Sequence, residues 1–228
     1  WGAFTPGLME VYRRQTQSPL DPEDYFDFDI RFVTINPTRK TMDFSRWYTT
    51  PTASDVLWDE WGIGSIRGSL EHFVHYKYHP LAECKTAEEV YAFDWPDVDA
   101  DYRFDGMAER VKAIQDRGYA VAGELYQTIF EIAWLMRGME NLLGDFFFNE
   151  EVAHAICEKL TELRICQAAK LAETGVDIIR LGDDVAAQGG PLMSLDLYRK
   201  FLKDRTVRII ASARRIRPEI LIFMHSDG

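Results

Sequence analysis

From residue 119 onward the chain alternates short apolar runs with long helical stretches, and that alternation leaves few folds open to it. Residues 119–126 (Y-A-V-A-G-E-L-Y), 176–181 and 220–223 are short, apolar and partly β-branched, as strands covered on both faces by helices are. Between the first two lies a long helix from about Glu150 to Glu173. It keeps Val152, Ile156, Leu160, Leu163 and Leu171 on one stripe, with Gly175 as its stop. A shorter helix is expected around residues 139–147. After Ser194, a good N-cap, another runs from about residue 195 to 215. Helices of this length can form the right-handed crossovers that join parallel strands. Strand, helix, strand, helix, strand is an α/β order.

Each of these runs ends on polar residues. Glu124 lies near the end of the first, Gly182-Asp183-Asp184 follows the second, and the third passes through Met224 into His225-Ser226-Asp227-Gly228. Met224 is expected to be the last core residue and His225 the first residue of a site. The C-terminal ends of buried parallel strands are where α/β barrels and open α/β sheets place their active sites. Glu124, Asp183 and Asp184 are the candidate catalytic carboxylates. Asp183 and Asp184 are adjacent, so one of them faces the pocket; the other reading is a cap for loop amides. Phe4, Tyr126 and Tyr198 are the candidate substrate contacts. His225-x-Asp227 offers an imidazole and a carboxylate to one zinc ion, with a coordination position left open for substrate. Asp227 orienting His225 as a general base, or capping a turn beside a histidine satisfied by a carbonyl, are the alternatives.

The N-terminal half is less regular. Residues 8–15 have helical spacing, broken by Ser18-Pro19-Leu20-Asp21-Pro22. Residues 25–36 (Y-F-D-F-D-I-R-F-V-T-I-N) alternate apolar and polar and predict a strand. About 59–80 reads as a hairpin excursion from a single domain spanning residues 1–228. Its His72, His75 and His79 have a zinc-like spacing, but in a strand the first two point to opposite faces. Two helices are expected near residues 86–92 and 105–117. Trp134 and the run Phe146-Phe147-Phe148 read as core. Arg199, Lys200, Lys203, Arg205 and Arg208 read as a solvated helix face.

With 37 acidic against 26 basic side chains the net charge is −11, which argues against a nucleic-acid or anionic-membrane surface. No apolar run approaches the roughly 20 residues that cross a bilayer. Cys84, Cys157 and Cys166 include no close pair and read as reduced thiols of a cytoplasmic protein. The chain opens on Trp1, in what reads as the exit of a strand, and stops in a site-like turn. It reads as an internal piece of a longer protein.

Gly182-Asp183-Asp184, Gly190-Pro191-Leu192-Met193-Ser194, Tyr198-Arg199 and His225-Ser226-Asp227-Gly228 together resemble the uroporphyrinogen decarboxylase superfamily. Arg137-Gly138-Met139-Glu140-Asn141 and His79-Pro80-Leu81 fit the same pattern, and the likeness is greatest to the branch near the corrinoid methyltransferases. It implies a (β/α)8 TIM barrel, here cut after about five strands, counting a stump at Trp1–Phe4. It also implies one of two chemistries. Decarboxylases of the family grip substrate carboxylates with arginines near the first strand. The matching segment here, Gly2-Ala3-Phe4-Thr5-Pro6-Gly7, has none, and Asp27 or Asp29 stands nearest to their pyrrole-binding aspartate. The methyltransferases hold zinc through a His-x-Cys pair and a later Cys, and exchange methyl groups with a corrinoid carried by a partner protein. His225 matches their histidine, and Asp227 stands where the first cysteine would be. The expectation is a zinc-dependent methyl transfer to or from a small-molecule substrate. A metal-free decarboxylase, and a non-catalytic barrel binding a corrinoid or protein partner, are the alternatives.

Overall fold

A computed structural model describes residues 4–48, 53–68 and 74–226. Thr5 caps the first helix, α1 (Pro6–Thr16), through its side chain, and Pro6 is preorganised for the first turn. A short helix α2 (Pro22–Tyr25) leads into β1 (Ile30–Val33). The strand expected over 25–36 is thus only four residues long. Pro22 starts a helix, Asp27 turns the chain at φ +51°, and the apparent alternation around Tyr25, Phe26 and Phe28 is a cluster of contacting rings.

The excursion follows as three antiparallel strands, β2 (Leu57–Trp58), β3 (Gly64–Arg67) and β4 (Val74–Tyr78). Then come α3 (Ala87–Tyr91), held by a capping box between Thr86 and Glu89, and α4 (Met107–Gln115). The strand β5 (Ala120–Leu125) precedes α5 (Phe130–Arg137), α6 (Met139–Phe148) and the long α7 (Glu150–Glu173). β6 (Ile178–Gly182) is followed by the two-residue strands β7 (Ala186–Ala187) and β8 (Gly190–Pro191). Next come α8 (Leu195–Tyr198), a π-helical turn Arg199–Lys203, α9 (Asp204–Ile216) and β9 (Leu221–His225).

β1, β5, β6 and β9 form one sheet in that order, every pairing parallel. Parallel strands neighbouring in chain order and joined by helices trace an arc of a (β/α)8 barrel. Four such strands stand among the described residues. Of the proposed fifth, residues 1–3 lie outside them, and Phe4 leads into α1.

The register separates two faces. At Gly123 an added Cβ would lie 2.9 Å from Leu171 of α7, so Val121, Gly123 and Leu125 face the helices, where Ile179 and Leu181 of β6 join them in the core. Glu124 and Arg180, which are register partners, point to the other, concave face. β9 departs from the expectation of a strand buried on both faces. Among the described residues it pairs only with β6, and Leu221 and Met224 are exposed, so Met224 is not core. Phe147 and Phe148 are likewise exposed, and only Phe146 of that run is buried. Arg205 and Arg208 both pair with Glu158 of α7, and Lys200 pairs with Glu150, so part of the expected solvated face is an ion-pair seam between helices.

Candidate functional site

On the concave face a cavity of about 870 Å³ opens between the parallel sheet and the N-terminal segment. Its floor is a charge pair on neighbouring strands: Arg180 of β6 donates to Glu124 of β5. The Arg180 guanidinium lies 5.6 Å from the ring centroid of Phe32 and 5.0 Å from that of Tyr126. Phe4, from the residues before α1, closes the cavity on the far side, edge-on to Tyr12 and 6.2 Å from Phe26. Glu124, Tyr126 and Phe4 therefore share one cavity. Arg180 was not anticipated. A lone arginine in the apolar run I-I-R-L-G was the signal that could have found it.

Asp183 lies elsewhere. It is 3% exposed, and its carboxylate accepts the backbone amides of Ile129, at 2.9 and 3.1 Å, and Glu131, at 3.0 Å. That is the capping arrangement weighed as its alternative role, here at the start of α5. Burial pushes its carboxyl up to about 6, against the pull of those amides and of Arg164. Asp184 is half-buried and its amide donates to Glu131 Oε2 at 3.3 Å. Tyr198 is packed against the core at the end of α8 and is not part of the cavity wall.

His225 ends β9 in register with Gly182, half-buried, and its carbonyl accepts the Asp183 amide at 3.2 Å. Asp227 lies outside the described residues, as does His72. His79 is satisfied structurally, its Nδ1 lying 2.7 Å from the Leu135 carbonyl. Arg137 of the R-G-M-E-N run pairs with Asp145 and donates to the carbonyls of Leu81 and Ala82. Those two motifs thus clamp each other and contribute no group to the cavity.

Among the described residues no group of three or more His, Cys, Asp or Glu side chains is placed to hold a metal ion. Burial pushes the thiols of Cys84 and Cys157 up to about 11 and about 12, away from the thiolate that zinc binds. His225 is a single donor, so the described residues do not by themselves compose a zinc site.

The uroporphyrinogen decarboxylase (URO-D) family model matches residues 83–228, more than half of the chain. The chain belongs to the URO-D family. That membership extends the parallel arc to a TIM-barrel fold and puts the cavity on the inner face of the barrel wall. A methyltransferase from Methanosarcina mazei is a structural neighbour, with a TM-score of 0.59 at 18% identity over 99% of this chain. The chain spans 57% of that protein's length. No curated protein matches the chain. No helix among the described residues is long and apolar enough to cross a membrane.

Proposed function

We propose that the chain carries the methyl-transfer chemistry of its superfamily, exchanging a methyl group between a corrinoid held by a partner protein and a small acceptor. The charge of the cavity is the observation behind this reading. Asp21, Glu23, Asp27, Asp29 and Glu124 line it, against Arg180 alone, and Glu124 already neutralises that guanidinium. A polycarboxylated tetrapyrrole entering such a cavity meets like charge and no spare cation, which disfavours the decarboxylase reading. A neutral or cationic substrate meets no such barrier.

In this reading the aromatic walls, Phe4, Phe32 and Tyr126, exclude water and receive the apolar part of the substrate. The Glu124–Arg180 pair fixes the polar floor. His225, with Asp227 two residues on, would be this chain's contribution to a zinc site. Bound there, zinc would keep a thiol acceptor as thiolate, the nucleophilic form. Elemental mass spectrometry of the intact protein, wild type beside His225→Ala, tests the metal. About one zinc per chain, lost in the variant together with methyl transfer, supports the proposal. A folded, unchelated wild type without metal sinks the zinc mechanism and returns the decarboxylase and the binding barrel to contention.

A further inference from the structure

The turn that brings Tyr126 to the cavity is tied down from both sides. Between β5 and α5 the chain bends through Tyr126, Gln127 and Thr128, and Gln127 sits at φ +55°, a conformation that side chains disfavour. Arg164, from the middle of α7, is buried under this turn. Its Nη2 donates to the carbonyls of Gln127 at 2.9 Å and Tyr126 at 3.5 Å, and its Nε to that of Thr128 at 3.2 Å. Nη1 donates to Gln167 Oε1 at 2.7 Å. Among the described residues Arg164 has no carboxylate within salt-bridge distance, and burial pulls its guanidinium down to about 10. A buried cation that spends its donors on three successive carbonyls is a costly way to hold a loop, and it fits one conformation of that loop only.

From the opposite side Asp183 takes the amides of Ile129 and Glu131. Thr128 completes the tie: its Oγ1 donates to the Leu125 carbonyl and accepts the Gly182 amide, and its own amide donates to the Gly182 carbonyl at 2.7 Å. Carbonyls are thus held by a cation and amides by an anion. The outcome is the placement of one ring. A Cβ on Gly182 would stand 2.9 Å from Cδ2 and 3.3 Å from Cε2 of Tyr126, so the ring lies directly over that glycine.

We propose that Arg164 and Asp183 are positioning residues that lock the 126–131 turn so that Tyr126, seated over Gly182, meets the substrate. The assignment rests on the cavity being the substrate site. Its test does not use turnover, so it stands or falls separately from methyl transfer.

Two variants of the intact protein, Arg164→Gln and Gly182→Ala, are compared with wild type by two measurements. One is amide hydrogen exchange over 126–131. The other is the phenol titration of Tyr126 from 13Cζ-tyrosine spectra, assigned with Tyr126→Phe. In wild type the Tyr126 phenol is held above its ordinary range by burial, then by Glu131 and Asp184. Arg164→Gln should speed exchange in 126–131 at least tenfold while β5 and β6 keep wild-type rates, and should return the phenol toward its ordinary value. Gly182→Ala should leave exchange in the turn nearly as it was but shift the phenol titration, because only the ring is displaced. Unchanged exchange in a folded Arg164→Gln, or acceleration spread over the whole chain, overturns the proposal. Should that variant fail to fold, Arg164→Lys takes its place. Unchanged exchange in the lysine variant, or its failure to fold as well, would mark Arg164 as a general core residue and overturn the proposal too.

Discussion

The two faces of the parallel sheet are built from alternate residues of the same strands, yet they answer opposite demands. On the helix side, Val121, Leu125, Ile179 and Leu181 are sealed against α7 and its neighbours, and Gly123 is there because Leu171 leaves no room for a Cβ. One residue away, on the concave side, Glu124 and Arg180 face a cavity rimmed by rings. The comparison shows how little sequence distance separates holding the fold from doing chemistry. In a strand the two tasks differ by a single step of the pleat.

Substitutions on the two faces should therefore fail differently. The largest effect is expected on the sealed side. Leu171→Ala, which empties a fully buried site, should lower unfolding free energy in urea by about 3 kcal/mol. The double change Glu124→Leu/Arg180→Met should do the reverse. Removing both charges together leaves no buried charge unpaired, so stability should stay within about 1 kcal/mol of wild type. Methyl-transfer kcat/KM should meanwhile fall about 100-fold, equivalent to about 2.7 kcal/mol. A double variant that loses stability but keeps activity would break the comparison.

A third test concerns Asp183, which is buried behind the sheet exits. Its folded value, about 6, lies above the ordinary carboxyl value, so folding favours the protonated form. The stability it contributes is complete below about pH 4 and is lost as pH rises through about 6, on the order of 2 kcal/mol. Urea midpoints measured across that window should fall for wild type and be flatter for Asp183→Asn. The smallest effect is expected at Phe148, which lies on neither face and is 91% exposed. Phe148→Ser should move the unfolding free energy by less than about 0.5 kcal/mol.

Apolar runs made the parallel strands readable, because a strand covered on both faces has no polar period to hide it. The same uniformity concealed α5. Its residues Phe130 to Met136 are buried almost all round, so they carry no helical stripe, and only Gly138, at φ +89°, marks where it ends and α6 begins. At the site, Glu124 and Tyr126 were legible as polar or amphipathic residues at a strand end. Asp183 was legible as important, but two adjacent aspartates give no clue that one is bound by amides from a helix far away in sequence. Arg164 was hidden entirely. On a long helix with charged neighbours nothing distinguishes an inward arginine from a solvated one until the turn it holds is in view.

The π-helical turn at Arg199–Lys203 carries one further consequence. Wider hydrogen-bonded rings let a helix absorb one residue more than a regular coil would. Here Phe201 and Leu202 are consecutive and both buried, while α9 continues beyond with Ile209 and Ala213 turned inward against α7. The turn thus acts as a phase corrector between two stretches of coil. Deleting a single residue there would straighten the helix and rotate everything downstream by about 100°. It would carry Arg205 and Arg208 away from Glu158, while leaving every cavity residue chemically intact.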